Sequence, residues 1–417
     1  MVAATDPKAT LAHYEGDLSS LWRLDTLEPL QRLSWWWWWW LVLLPDPRHP
    51  GRTQQLMVLW STKDTERIWV SGHDWHAGGR TRVDEHGGIT FPGMVASWWY
   101  DGERMHEPLV LREARFCALD SAHPLWPQKG GASTGEAAAA GAAGGGGAVL
   151  PLLSDDLSMG LADDRSHFWL TLEADEAAVA NGAPARFDLR MTPWNRAISG
   201  VEYSHNEFSL GMGYDILRIH GSECTGEIGG EPVTGTAYFQ KVCVQAPSIP
   251  WFWGMLHFSD GSYLDWFLPH ASFTLTAKDD RPWKARDFAR LPLKGQGQWK
   301  DAGRQRTEQF ARCEVELLEV VPGDGVPEFD EDGNPLPCFH VRLWNGRTQI
   351  GLLARAVARA HWTFDQPTRA CMTSHFTYNE YPLEIDSITV LDEQGVRTLE
   401  DWEWIHGNAE HSWGLLH

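Results

Sequence analysis

The segment from Trp251 to Phe267, WFWGMLHFSDGSYLDWF, constrains the fold more than any other part of the chain. Two runs rich in aromatic residues flank the turn sequence Ser259-Asp260-Gly261, a pattern that predicts a β-hairpin. Successive side chains of a strand point to opposite faces, so alternate residues share a face. The residues that share a face are Trp251, Trp253, Met255 and His257 in the first strand and Tyr263, Asp265 and Phe267 in the second. This pattern predicts that the hairpin forms one wall of an apolar pocket, with an acidic side chain in that wall.

Short alternating or apolar runs, separated by Gly, Pro and Asp, continue through most of the chain and outnumber helical patterns. Such a series predicts an all-β fold of antiparallel strands with few helices, built as a sandwich and a barrel. A chain of 417 residues is too long for one ordinary core. We therefore expect two β domains, residues 1–195 and 196–417, joined near Pro193 to Ser199. The pattern at Gly351–Ala360 fits either a helix or a strand.

Two unusual segments lie in the N-terminal half. Residues 129–148, KGGASTGEAAAAGAAGGGGA, are so rich in Gly and Ala that we expect a disordered loop within the first domain. The run Trp35–Trp40 belongs to an apolar stretch ending at Leu44, about half as long as a membrane helix requires. We predict a strand there, with one face of rings toward the core and the other toward a partner or ligand.

Charge and cysteine content exclude several functional classes. A formal net charge of −21 disfavours binding to nucleic acid or to an anionic membrane surface. The six cysteines lack metal-ligand spacing, and the pair His73 and His76 has no evident third ligand. No phosphate-binding loop or Gly-x-Ser-x-Gly elbow occurs. We expect no cofactor, no metal, no integral membrane segment and, since no signal peptide is evident, a cytoplasmic protein.

Three consecutive elements resemble the central signature of a known family. They are Tyr214–Gly221, Gly229–Tyr238 and Trp251–Gly261. Their order and spacing resemble the lipocalin-like carotenoid 1,2-hydratase and AttH family, and the match covers about residues 200–268. The resemblance implies two lipocalin-like β domains with a hydrophobic pocket between or within them. Members of the family hydrate carotenoid double bonds, and the related lipocalin-like Diels–Alderases of fungi catalyse pericyclic cyclisations of polyenes.

The chain departs from that family at one important place. Hydratase-type members carry an Asp-His pair followed by Trp-Gly, whereas this chain has Gln240 and Lys241, followed by Cys243 and Val244. The usual hydratase proton donor is therefore missing from that position. The hydratases also carry a Tyr and an Asp on the return strand of the hairpin, without a clean alignment to this sequence.

Asp265 is the first candidate for catalysis. Among aromatic rings the charged form of a carboxyl group is disfavoured, so such a group can remain a proton donor near neutral pH. Tyr263 and His257 are candidates to tune that acid or to relay a proton. The structural alternatives are an Asp paired with an Arg or a backbone amide and a hydrogen-bonded core histidine.

Large aromatic residues are the candidate lining of the substrate site, because ring faces stabilise a developing carbocation. A few polar residues near the domain junction complete the set. The candidate substrate-binding residues are Trp251, Trp253, Trp266, Tyr238, Trp98, Trp99, His205 and Glu202.

The leading hypothesis is an enzyme that acts on a hydrophobic isoprenoid or polyene substrate. The reaction would be an acid-initiated hydration, isomerisation or cyclisation, which needs no cofactor. The first alternative is a non-catalytic lipocalin-type carrier of a hydrophobic ligand. The second is a carbohydrate-binding β-sandwich, which predicts exposed tryptophan rings.

Overall fold

The structure is a computed structural model in which strands dominate. It describes residues 21–24, 29–49, 51–76, 81–127, 146–151, 156–163, 165–194, 201–207, 209–246, 250–272, 290–292, 294–323 and 326–416. Most of the predicted Gly/Ala loop, residues 129–145, lies outside this part of the chain.

The strands are β1 (Ser34–Pro45), β2 (Thr53–Lys63), β3 (Ile68–Val70), β4 (His73–Trp75), β5 (Arg82–Val83), β6 (Ile89–Tyr100), β7 (Val110–Asp120), β8 (Gly147–Pro151), β9 (Leu157–Leu161), β10 (Phe168–Glu173), β11 (Arg186–Pro193), β12 (Val201–Glu207), β13 (Gly213–Ile228), β14 (Glu231–Gln245), β15 (Trp251–Phe258), β16 (Tyr263–Ser272), β17 (Arg290–Pro292), β18 (Gln296–Asp301), β19 (Arg306–Phe310), β20 (Arg312–Leu318), β21 (Cys338–Trp344), β22 (Gln349–Ala356), β23 (Ala360–Pro367), β24 (Thr373–Asp392), β25 (Gly395–Thr398) and β26 (Ile405–Leu416). Helix α1 (Glu176–Ala180) and the 3-10 turns Ser209–Gly211, Arg369–Cys371 and Leu399–Asp401 are short. The all-β fold class is confirmed.

The first sheet closes into an antiparallel barrel. Its strands follow the order β11-β10-β9-β8-β7-β6-β2-β1-β14-β13, and β11 pairs with β13 to close the ring. Side chains of alternate residues fill the interior, among them Trp36, Trp38 and Trp40 from β1. Strands β13 and β14 therefore belong to the barrel, and the chain leaves this sheet between Gln245 and Trp251, later than residue 195. The division into domains at residue 195 stays a prediction.

The second sheet contains most of the remaining chain. Its main path is β19-β18-β16-β15-β26-β24-β22-β21-β20, all paired in the antiparallel sense. One face carries its own core, which includes Phe252, Trp266 and Tyr381. The ambiguous segment at Gly351–Ala360 forms the end of β22, a short irregular link and the first residue of β23.

A third hydrophobic cluster lies between the barrel and the second sheet. The outer face of the barrel contributes Trp39 and Trp98, and the second sheet contributes Trp253 and Trp362. Strand β1 presents rings on both faces, one inside the barrel as predicted. The other face packs against the second sheet of the same chain, which corrects the expectation that it meets a partner or ligand. None of the described helices has the length and apolar character needed to cross a membrane.

Candidate functional site

The predicted hairpin forms and faces the barrel. Strands β15 and β16 pair in a register that places His257 opposite Tyr263 and Met255 opposite Asp265. Trp253, Met255 and Tyr263 belong to the cluster between barrel and sheet. Because cross-strand partners share a face, Asp265 and His257 point toward the barrel as well. The alternation seen in the sequence therefore brings all three candidate catalytic residues to one surface.

Tyr263 and Asp265 form the chemically most distinctive contact of this surface. The Tyr263 hydroxyl donates a hydrogen bond to Asp265 Oδ2 over 2.9 Å. Burial of the ring raises the pKa of Tyr263 well above its ordinary value. The hydroxyl therefore remains protonated and serves only as a donor to the carboxyl group. Asp265 itself is half-buried.

His257 joins the hairpin to the barrel. Its Nε2 lies 2.7 Å from the carbonyl oxygen of His220, and its Nδ1 lies 2.8 Å from Thr236 Oγ1. A carbonyl oxygen only accepts, so Nε2 carries the proton and Nδ1 accepts from the Thr236 hydroxyl. Burial lowers the pKa of His257 to about 3, which keeps the ring neutral. Its ring lies 5.8 Å from that of Tyr263, a position suited to fixing the tyrosine in place.

Aromatic rings from both sheets surround the Tyr263–Asp265 pair. Tyr238 of the barrel lies parallel to Tyr263 at 6.3 Å between ring centroids. It also lies 5.2 Å from Trp253. Trp251 continues this wall and contacts Phe376 at 5.2 Å. The structure therefore brings together Asp265, Tyr263, His257, Tyr238, Trp253 and Trp251 at the interface of barrel and sheet.

Five residues of the facing surfaces keep partial access to solvent. Trp35 and Trp37 of the barrel and Trp251, Asp265 and Phe267 of the second sheet remain partly accessible, although they belong to the facing surfaces. By comparison, the fully buried residues of the cluster between barrel and second sheet have almost no exposed area. We propose that these five residues border a space for a ligand, and we call this proposed space the interface crevice.

Two other predicted residues lie in hydrophobic interiors. Trp99 points into the barrel, where its ring contacts Phe187 at 5.5 Å. Trp266 points into the core of the second sheet, where its indole packs so closely on Gly254 that a Cβ there would lie 2.1 Å from the ring. Neither lines the interface crevice, and we leave both out of the proposed site.

Trp98 reaches the interface at a different place. Its ring stacks on Trp362 with 4.0 Å between centroids and an angle of 13°. It also lines a separate cleft of about 260 Å³, together with Arg359 and His361. The Arg359 guanidinium forms an ion pair with Asp330 at 3.2 Å, so part of the charge in this cleft is already neutralised.

The polar candidates near the domain junction lie on strand β12, at the edge of the first sheet. His205 Nδ1 lies 3.3 Å from Asp215 Oδ2, and Asp215 faces the barrel interior beside Cys243. The side chain of Glu202 is outside the described part of the structure. The partners of His205 that the structure gives, Asp215 and Glu207, lie on β13 and β12.

The second sheet contains a pair of buried acids that the sequence pattern does not predict. Glu380 on β24 and Glu410 on β26 lie directly opposite each other, with exposed fractions of 0% and 3%. The Tyr378 hydroxyl donates to Glu380 Oε1 over 2.6 Å, and the Trp251 indole N–H donates to Glu410 Oε2 over 2.6 Å. The remaining oxygens, Glu380 Oε2 and Glu410 Oε1, are buried and have no donor among the described groups.

Burial raises the pKa of both acids, and repulsion by Glu410 further raises the pKa of Glu380, which lies well above its ordinary range. Two buried carboxylates on directly facing residues cannot both be ionised without great cost, so the pair favours a state with one proton. The sequence showed the aromatic and acidic residues around Tyr378, but it gave no indication that Glu410 lies across from Glu380.

One group of described residues has the donor types of a metal site. Asp84, Cys117 and His123 have ligand atoms within 4.8 Å of one another. However, the backbone N–H of Leu125 donates to His123 Nδ1, so Nε2 carries the proton and donates to Asp84 over 2.9 Å. These polar atoms are therefore satisfied by each other. His73 and His76 join no such three-ligand group among the described residues.

Comparison with known proteins gives distant structural likenesses. No family model matches the chain, and no curated protein matches it. A candidate AttH protein from Nitrosomonas europaea superimposes with a TM-score of 0.48 at 13% identity, covering 98% of each chain. Kievitone hydratase from Nectria haematococca gives a TM-score of 0.36 at 10% identity, covering 93% of this chain and 94% of the hydratase. These values are too low to assign a function, so the residues of the interface crevice carry the argument below.

Proposed function

We propose that this protein is an enzyme that converts a long hydrophobic polyene or isoprenoid by acid-initiated hydration, isomerisation or cyclisation. The observation that supports this most directly is the Tyr263–Asp265 hydrogen bond inside a wall of aromatic rings. The crevice offers apolar surface for a substrate and one carboxyl group for proton transfer. The resemblance of the hairpin to carotenoid hydratases agrees with this assignment.

Asp265 gives its proton to an alkene carbon of the substrate, and a carbocation forms. The carboxylate that remains accepts the Tyr263 hydrogen bond, which stabilises it. Hydrogen bonds to a charged group contribute about 1.5–3 kcal/mol. Tyr263 is held by the neutral His257 ring and by Tyr238, so the donor is in place before the proton moves.

The aromatic walls stabilise the cation. A cation over an indole or phenol face is attracted by about 2 kcal/mol when water is excluded, and each 1.4 kcal/mol is about tenfold in rate. Tyr238 and Trp253 provide such faces beside Tyr263, and Trp251 continues this wall. The reaction ends when water adds and loses a proton, when a neighbouring carbon loses a proton, or when an internal alkene closes a ring and the new cation then loses one.

Incubation of the purified protein with a prenylated polyene in deuterated water tests this function. An enzyme incorporates deuterium at carbon and changes the product, and Asp265→Asn abolishes this while a binding signal from Trp fluorescence remains. The matched control is Asp386→Asn, since Asp386 is ion-paired with Arg355 on a strand of the same sheet. Normal turnover by Asp265→Asn would remove that residue from the mechanism.

The second candidate function is a carrier of a hydrophobic ligand. It is favoured by Gln240 and Lys241 at the positions where hydratases have their Asp-His pair. A carrier returns its ligand chemically unchanged and unlabelled from the same experiment. A carbohydrate platform is disfavoured, because no tryptophan in the described part of the chain is among the exposed large apolar residues.

A further inference from the structure

A cleft of about 260 Å³ lies between the barrel and the second sheet, apart from the interface crevice. The barrel contributes Trp98 of β6 and residues 103–108, which follow that strand. The second sheet contributes residues 357–359, which link β22 to β23, and a turn that contains Asp330. Ligand pockets usually measure about 300–1,000 Å³, so this cleft has room for a small molecule.

Arg359 supplies a fixed cation in the inner part of the cleft. Its side chain is 9% exposed, and its Nε lies 3.2 Å from Asp330 Oδ2. Its Nη1 donates to Asn379 Oδ1 over 3.3 Å. A guanidinium group has five N–H donors, and Nη2 has no partner among the residues that the structure describes. The group therefore keeps donors for the oxygens of a carboxylate.

Asp330 holds this guanidinium in place and is itself held by its own turn. Its Oδ1 accepts from the backbone N–H of Asp332 over 3.1 Å and from that of Asn334 over 2.7 Å. Asn334 Nδ2 donates to Oδ2 over 3.1 Å. The Asp330 oxygens are thus engaged by the protein, and the cation beside them is oriented before a ligand arrives. Such preorganisation lowers the entropic cost of binding.

His361 adds a second polar group to the lining of the cleft. Burial, together with the Arg359 charge, lowers the pKa of His361 to about 4, so its ring is neutral at neutral pH. Its Nε2 is buried and has no hydrogen-bond partner in the described part of the chain. A buried polar atom without a partner costs free energy, which a ligand oxygen would remove by accepting from Nε2–H.

The rim of the cleft carries mainly negative charge. It is lined by exposed acids, namely Glu103, Glu107, Glu331 and Asp332, with Arg104 as an exposed cation among them. Within the described ranges, Glu107 and Glu331 belong to no ion pair, so their charges are available to a ligand. These carboxylates repel a simple anion and attract an ammonium group.

We propose that the cleft binds a small zwitterion with a carboxylate at one end, an ammonium group at the other and a short apolar chain between them. The carboxylate lies against Arg359 and His361, and the ammonium group lies against the acids of the rim. The chain lies against Trp98 and Met105. This site goes beyond the proposed function and does not depend on it, since the cleft shares no lining residue with the interface crevice.

Isothermal titration calorimetry with ε-aminocaproate, caproate and hexylamine tests the proposal, because the last two each lack one of the charges. The zwitterion should bind about fivefold more tightly than either, as expected when one further ion pair forms near the surface. Equal affinities for all three would overturn the proposal. So would the absence of measurable binding of both ε-aminocaproate and its shorter homologue γ-aminobutyrate.

A conservative variant shows whether the carboxylate end lies at Arg359. Arg359→Lys keeps the positive charge but loses the planar fork of donors, so affinity for ε-aminocaproate should fall about tenfold. Arg342→Lys is the matched control and should keep the affinity of the parent, because Arg342 pairs with Glu314 at an exposed position of the same sheet. Undiminished affinity in Arg359→Lys would place the binding elsewhere and contradict the proposal.

A change at the rim gives a result that a folding defect cannot imitate. In Glu107→Gln combined with Glu331→Gln, both at exposed positions, ε-aminocaproate should bind about threefold more weakly at low ionic strength. Caproate should bind more tightly to the same variant, because less negative charge repels it. Opposite changes for the two ligands support the zwitterion. A parallel loss of both, or no change in either, would rule it out.

Discussion

Glu380 and Glu410 face each other across adjacent strands in the wall between barrel and sheet, where burial favours a state with one proton. The pair also fixes two rings of that wall, Tyr378 and Trp251, by hydrogen bonds. A neutral hydrophobic pair could have filled the same space without an ionisation cost. Because the two acids hold Tyr378 and Trp251 by hydrogen bonds, the protonation of the acids links the packing of these rings to pH.

The first prediction concerns the pH dependence of stability in Glu380→Gln. Glutamate in the unfolded chain has a pKa of 4.5, and the folded value is raised. The folded state therefore binds more protons above pH 4.5, so the free energy of unfolding falls as pH rises through the folded pKa. Glutamine cannot ionise, so the variant should lose this decline and gain stability relative to the parent from pH 5 to pH 8.

Urea unfolding at a series of pH values measures this difference, and each unit of pKa shift corresponds to about 1.4 kcal/mol. Glu316→Gln is the matched control, because Glu316 is an exposed glutamate on strand β20 of the same sheet. Parallel curves for Glu380→Gln and the parent would show that the pair does not share a proton in the folded state.

The second prediction concerns Tyr263→Phe, which removes only the hydroxyl group. The ring remains in the cluster, but Asp265 Oδ2 loses its donor. A hydrogen bond to a charged group contributes about 1.5–3 kcal/mol, so turnover of a polyene substrate should fall about 10- to 150-fold. Affinity for the same polyene, measured by quenching of Trp fluorescence, should stay within about twofold. Equal loss of affinity and turnover would indicate that the tyrosine supports binding and not the proton transfer.

The third prediction concerns the stability of the interface itself. Trp362 stacks on Trp98 at 4.0 Å and is 2% exposed. Truncation of a buried tryptophan costs about 3–5 kcal/mol, so Trp362→Ala should lower the free energy of unfolding by that amount. Trp344→Ala, at a half-buried position of β21, is the control and should cost much less. A small effect at Trp362 would mean that the two sheets are held together elsewhere.

The alternation of neighbouring residues predicts the structural features that depend on local sequence. The hairpin from Trp251 to Phe267 and the two-faced strand at Trp35–Trp40 follow from alternation alone. Alternation does not tell which of two apolar faces meets the other sheet. Both Trp266 and Trp253 are therefore candidates for the substrate site by sequence, although they lie on opposite faces of the hairpin.

Long-range pairing could not be predicted in this way. Glu380 and Glu410 are separated by a strand and a turn, and only the register of β24 with β26 brings them together. The burial that raises the pKa values of Glu380 and Glu410 comes from residues that are distant in the sequence. Composition and local pattern therefore do not reveal it.

The last prediction concerns acid destabilisation and His257. Histidine in the unfolded chain has a pKa of 6.5, whereas burial holds the folded value at about 3. The unfolded state thus binds more protons below pH 6.5, and stability is lost as pH falls toward 3. His257→Gln retains an amide N–H that can donate to the His220 carbonyl oxygen, but it cannot be protonated. Its free energy of unfolding should therefore fall less steeply than that of the parent between pH 6.5 and pH 4, by about 1.4 kcal/mol per pH unit. His340→Gln, at a half-buried surface position of β21, should keep the slope of the parent. An unchanged slope in His257→Gln would show that His257 takes up a proton in the folded protein, and the neutral ring assigned to it beside Tyr263 would then be wrong.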